Sequence, residues 1–163
     1  MSYQTFLFII CLAMAACSSD DTVPVLTADA YGTVVFGASL AAAEAQLQTV
    51  GEPQVRAEGC SYVTFGRYPD IRFMTENGIV TRADAGASIV NSSGFGVGDR
   101  SADLKEANPQ IVVLQHKYEP QSHYLVLASP DGTSALVFEE SNGIITTVRA
   151  GVEPSVEYVE GCG

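Results

Sequence analysis

Tryptophan is absent from this 163-residue chain, histidine occurs twice and methionine three times. Positive charge is also scarce: 8 lysines and arginines stand against 19 acidic residues, a net charge of −11. That shortage excludes nucleic-acid binding, which relies on clustered cations against phosphates. It also opposes adsorption to anionic headgroups. It is compatible with a basic protein partner or with divalent cations, and its plainest consequence is a soluble, self-repelling surface. No apolar run reaches the about 20 residues that a membrane-crossing helix needs; the longest is Phe6–Ala16. Neither HExxH nor CxxC is present, so a zinc site has no framework. A nucleophile elbow is missing too, because Gly37-Ala38-Ser39-Leu40-Ala41 falls one glycine short. Gly94-Phe95-Gly96-Val97-Gly98 lacks the lysine of a phosphate loop. The acidic pairs Asp20-Asp21 and Glu139-Glu140 lack the alternating carboxylates of an EF-hand. These gaps point to a non-enzymatic chain with no catalytic residue, no metal and no cofactor.

What the sequence does hold starts at its N-terminus. Phe6–Ala16 has the length of a signal-peptide core. Ala15 and Ala16 precede Cys17, with Met14 three residues before it. This resembles the lipobox of bacterial lipoproteins, in which the cysteine is lipidated and becomes the new N-terminus. The resemblance implies cleavage after residue 16, a lipid anchor on Cys17 and a place on the cell envelope. Ser18 in the next position implies sorting to an outer membrane, facing the periplasm or the cell surface. Residues 17–30, polar and with Pro24, read as a lipidated tether.

Cys11 leaves with the signal and Cys17 carries lipid, so Cys60 and Cys162 remain. In an oxidising compartment an even pair reads as a disulfide. Each closes a Glu-Gly-Cys tripeptide.

An internal repeat is visible. Asn77-Gly-Ile-Val-Thr-Arg-Ala-Asp-Ala-Gly86 aligns with Asn142-Gly-Ile-Ile-Thr-Thr-Val-Arg-Ala-Gly151, and Ser39–Gln46 aligns with Ser101–Asn108. Ser39 is a fitting N-cap for a helix carrying Leu40, Ala43, Leu47 and Val50 on one face, ended by Gly51. Ser101 caps a second, shorter helix that stops at Asn108-Pro109. Strand-like runs follow at Cys60–Phe65, Ile71–Thr75 and Ile79–Ala83, then at Tyr124–Ala128, Ala135–Glu139 and Ile144–Arg149. Ile111–Gln115 and Val156–Glu160 are further strand candidates. Asn77-Gly78, Asn142-Gly143 and Asp131-Gly132 suit tight hairpins. The expected architecture is α+β: two tandem helix–β-meander repeats over residues 31–90 and 91–163, packed together on an antiparallel sheet, with Ala87–Ser93 between them.

A Gly-x-Ser helix start followed by a β-meander, repeated on a lipoprotein, resembles the SmpA/OmlA (BamE-like) group. It also resembles the β-lactamase-inhibitory-protein fold, built from two such repeats. Some bacterial lipoproteins are similar over residues 30–163, including the stretch His116-Lys117-Tyr118 and the closing Glu160-Gly161-Cys162. The resemblance implies protein–protein binding: a scaffold in an envelope complex, or inhibition of an envelope or host enzyme such as a lysozyme, protease or β-lactamase. A basic enzyme such as lysozyme would suit the acidic charge.

One surface stands out. His116, Lys117, Tyr118, His123 and Tyr124 flank one loop at Glu119-Pro120-Gln121. Tyrosine and histidine present apolar bodies with polar tips, which suits partner recognition. The plainer assignment makes Tyr124 a strand core residue and the others ordinary surface.

Overall fold

The computed structural model describes residues 23–163. The signal segment 1–16, Cys17 and the first part of the tether lie outside the described residues. In chain order the elements are β1 (Ala30–Tyr31), β2 (Val34–Val35), α1 (Leu40–Leu47), β3 (Glu52–Ala57), β4 (Cys60–Phe65), β5 (Tyr68–Glu76) and β6 (Ile79–Ala85). They continue with α2 (Ser101–Ala107), β7 (Val112–Gln115), β8 (Ser122–Ala128), β9 (Ser134–Ser141), β10 (Ile144–Val152) and a 3-10 turn, Ser155–Glu157.

The expected α+β class, with two tandem helix–meander repeats, is corrected. The protein is mainly β, 45% strand against 13% helix, and is built on one eight-stranded antiparallel sheet ordered β3-β4-β5-β6-β10-β9-β8-β7. The helices are too small to form a layer. Eight-residue α1 buries Ala43 and Leu47, and seven-residue α2 buries Ser101 and Leu104. Helices this short hold only through tertiary contact. The two meanders are joined edge to edge where β10 pairs with β6, with Ala83 opposite Ala150 and Arg82 opposite Gly151. Small residues let this seam close: a Cβ on Gly151 would stand 2.3 Å from the Thr81 carbonyl oxygen.

Alternation sorts the strand residues onto two faces. One face carries Val63, Phe65, Phe73, Leu125, Leu136 and Phe138, all buried. Leu26, Tyr31, Val34, Phe36, Ala43, Leu47 and Leu104 cover it. The tether reading is therefore corrected at its C-terminal end. Leu26 is fully buried, donates its amide to the Val90 carbonyl at 2.9 Å and accepts from the Ser92 amide at 2.9 Å. The side-chain oxygen of Thr27 accepts from the Ala30 amide at 3.0 Å.

The opposite face is crossed by the C-terminal segment 153–163. A disulfide between Cys60 and Cys162, Cα–Cα 5.6 Å, ties this segment to β4. Val156–Glu160 is no strand, since the chain coils there into the 3-10 turn and further turns. Two turns follow the sequence: Asn77 (φ 49°) with Gly78 (φ 78°), and Asn142 (φ 52°) with Gly143 (φ 80°), both in the left-handed region a two-residue hairpin demands. At Asp131-Gly132 only the glycine is left-handed. The Asp131 carboxylate there accepts from the Ser129 hydroxyl and the Thr133 amide and hydroxyl. Ser39 caps α1, its hydroxyl accepting from the Ala42 amide at 3.2 Å. Ser101 does not cap α2: Arg100 holds that position with no side-chain cap bond, and Ser101 is buried inside the first turn. Helix α1 ends at a left-handed Gln48 rather than at Gly51. The chain goes straight on into β3, an edge strand that tolerates Pro53 because an outward position needs no amide donor.

Candidate functional site

The tail-covered face has an ordered chemistry. One register row runs Arg72–Asp84–Arg149–Val137–Val126–Val112 across β5, β6, β10, β9, β8 and β7. It is charged at one end and apolar at the other. A neighbouring row runs Thr147–Glu139–Tyr124–Leu114. Arg149 lies where charged and apolar halves meet.

Two arginines on this face are nearly withdrawn from water. Arg82 is 6% exposed and Arg149 4% exposed. The Nε of Arg82 donates to Asp84 at 2.6 Å and its Nη1 donates to the Tyr158 carbonyl. The Nε of Arg149 donates to the Val156 carbonyl at 2.7 Å and its Nη1 to Glu139. A buried cation persists only when paired and hydrogen-bonded, and here the C-terminal segment supplies half of the acceptors. Arg72, half exposed, pairs with Asp84 at 3.5 Å and lies 4.7 Å over the Tyr62 ring. Tyr62 is held protonated to higher pH by its burial and by the Asp84 charge.

Two cavities open on either side of Arg149. One, about 220 Å³, is lined by Leu114, Gln115, Tyr124, Val126, Val137, Arg149 and Glu157. The other, about 250 Å³, is lined by Arg72, Arg82, Asp84, Glu139, Thr147, Arg149 and neighbours including Val159. The Tyr124 hydroxyl is buried and, among the described residues, has no hydrogen-bond partner. Its ring sits between His116, stacked at 4.6 Å, and the Arg149 guanidinium at 5.4 Å.

Four of the five residues flagged on the β7–β8 loop are brought together. His116 stacks on Tyr124, and its Nδ1 accepts from the Tyr118 and Glu119 amides at 3.2 and 3.1 Å. The Tyr118 hydroxyl donates to Glu160, and the Lys117 ammonium stands 3.7 Å from the same carboxylate. The Tyr118 hydrogen bond, ahead of the Lys117 charge, holds the Glu160 carboxyl below the usual carboxylate range. The contact with Tyr118 raises the Lys117 ammonium. His123 goes elsewhere. It faces the other side of β8, where its Nδ1 lies 2.5 Å from Glu140, whose second oxygen accepts the Gly143 amide at 2.8 Å. Odd spacing from Tyr124 along a strand forces that separation.

Arg82, Asp84 and Arg149 were missed in the sequence and Glu139 was noted only as half of an acidic pair, although all but Asp84 lie in runs read as strand. The available signal was period two: Arg82 with Asp84, and Thr147 with Arg149, charge or hydroxyl on one face of a strand whose other face is apolar. Among the described residues no three histidine, cysteine, aspartate or glutamate side chains are grouped to hold a metal, and no helix is long and apolar enough to cross a membrane. Comparison with protein-family models, with curated proteins and with solved structures finds no match to this chain.

Proposed function

We propose that this chain is a non-enzymatic protein-binding module, held on the cell envelope by lipid on Cys17, which engages an extended segment of a partner along β7. The supporting observation is the contrast between the two edges of the sheet. At one edge, β3 presents Glu52, Pro53 and Arg56, residues that block strand addition. At the other, β7 reads Val-Val-Leu-Gln, with no charge and no proline, and its Val112, Val113 and Leu114 are 54%, 47% and 43% exposed. An open apolar edge is a template for an added strand, with backbone hydrogen bonds giving affinity and the flanking cavity giving side-chain selectivity. The net charge of −11 favours a basic partner.

The test is site-specific photocrosslinking from position 113 in the membrane-anchored protein, beside position 55 on β3. A discrete protein adduct at 113 and none at 55 is expected. Equal adducts at both positions, or none at 113, would sink the edge-strand reading. Intact mass of the membrane-purified protein checks the anchor separately: an acylated Cys17 is expected, lost in Cys17→Ala. A non-acylated chain would remove the anchor from the proposal.

A further inference from the structure

The paired cavities at Arg149 go beyond strand addition and do not depend on it. We infer that they form a binding site for a small monocarboxylate bearing a short apolar group, with the carboxylate among Arg72, Arg82 and Arg149 and the apolar group beside Tyr124, Val126 and Val137.

Charge balance carries the first step. The polar cavity is walled by three guanidinium groups and two carboxylates, Asp84 and Glu139. One positive charge is left over within this cavity, where the carboxylate would sit; Glu157 belongs to the apolar cavity, and the whole protein carries −11. A singly charged anion closes that balance.

Hydrogen-bond capacity carries the second step. A guanidinium has five N–H donors. Arg82 and Arg149 each spend donors on Nε and Nη1, and among the described residues neither Nη2 has a partner. Both side chains are more than nine-tenths buried and both line the cavity. Planar, fixed forks of this kind match a carboxylate in two-point geometry.

Shape carries the third step. Arg149 is shared by both cavities, so a ligand held by its guanidinium has an apolar pocket within reach on the other side. The Tyr124 side chain walls that pocket, although its hydroxyl is itself withdrawn from solvent. Glu157 also lines the apolar pocket and would repel a second acidic group there. This favours a monocarboxylate over a dicarboxylate. The same chemistry is found at the C-terminal residue of a peptide and in a free branched acid.

The experiment is a titration of the disulfide-bonded protein with N-acetyl-leucine at neutral pH, followed by NMR of arginine Nε–H groups and valine methyls. Shifts at Arg82, Arg149, Val126 and Val137 are expected. The neutral N-acetyl-leucinamide should shift none of them at matched concentration. Arg72→Gln, at a half-exposed position, should keep the fold and weaken binding about tenfold, the loss of one hydrogen bond to a charged group. Arg67→Gln, outside both cavities, should bind as before. The acid 4-methylpentanoate, which keeps the alkyl group and drops the amide, distinguishes the sources. Weaker binding than N-acetyl-leucine assigns the site to a peptide terminus, and equal binding assigns it to a free acid. No shift at millimolar N-acetyl-leucine, equal response to the neutral amide, or binding unchanged in Arg72→Gln would each overturn the site.

Discussion

Tyr118 and Glu160 lie far apart in sequence, yet their hydrogen bond pins the C-terminal segment beside the β7–β8 loop. Because the folded Glu160 carboxyl titrates below its unfolded value, its contribution is fully present above the unfolded carboxylate pKa. It fades as pH falls through the lower, folded pKa. Lys117 behaves in the opposite sense: its raised ammonium contributes fully below its unfolded pKa and loses that contribution as pH rises through the folded one. The contact is therefore complete across the neutral range. Tyr118→Phe should move the Glu160 carboxyl back up toward its ordinary value, read by NMR titration of its side-chain carbon. An unmoved titration would show that the hydroxyl is not the cause. A second residue-scale expectation concerns Gly151. A methyl there meets the Thr81 carbonyl oxygen at 2.3 Å and Arg82 Cα at 2.8 Å, both backbone atoms with little room to yield. Gly151→Ala should cost about 2–3 kcal/mol in urea unfolding, within the range for overpacking. A loss well under 1 kcal/mol would mean that the β6–β10 seam relaxes more freely than its geometry indicates.

Among the elements, the helices are the weakest pieces and depend on local chemistry. Removing the α1 cap with Ser39→Ala should cost about 1 kcal/mol by thermal or urea unfolding. The parallel change at Ser101 removes no cap, because that hydroxyl does not serve one. The six internal sheet strands were legible as alternating runs between turn signals, and Cys60–Phe65 matches β4 residue for residue. β7 was legible as a candidate strand but not as an edge, since edge position follows from sheet order. β3 was hidden because it follows directly on Gly51, read as the end of a helix, and only its edge placement makes Pro53 acceptable. The mistaken C-terminal strand, Val156–Glu160, has strand-like residues but no strand beside it. Its backbone closes short turns, and Val156 and Tyr158 give their carbonyls to Arg149 and Arg82. Within the candidate site, the His116–Tyr118 cluster was legible because it is local. The burial of the two arginines was not, because Glu139 reaches Arg149 from another strand and the Val156 and Tyr158 carbonyls come from the C-terminal segment.

For the molecule as a whole, the disulfide is the largest single constraint. It joins residues 102 apart and holds the only described segment covering the charged face. Closing a loop of that length contributes about 4–5 kcal/mol on the chain-entropy account. Reduction, or Cys162→Ser, should lower the urea midpoint accordingly and loosen Val156, Tyr158 and Glu160 from the sheet. Faster amide exchange at those residues, with β9 and β10 still protected, would be the expected pattern. An unchanged midpoint would show that tail packing alone suffices.

The sequence by itself determined the two Asn-Gly hairpins, most strands, the α1 cap and the pairing of Cys60 with Cys162. Each depends on nearest neighbours or, for the cysteines, on Cys60 and Cys162 being the two that follow the expected signal and anchor. Tertiary structure alone decided that the protein is mainly β, built on one eight-stranded sheet, rather than an α+β pair of repeats. It also decided that β7 is left open, that Arg82 and Arg149 are buried, and that two cavities meet at Arg149. Those outcomes depend on which strands lie side by side, and strand order is a property of long-range packing that local periodicity does not encode.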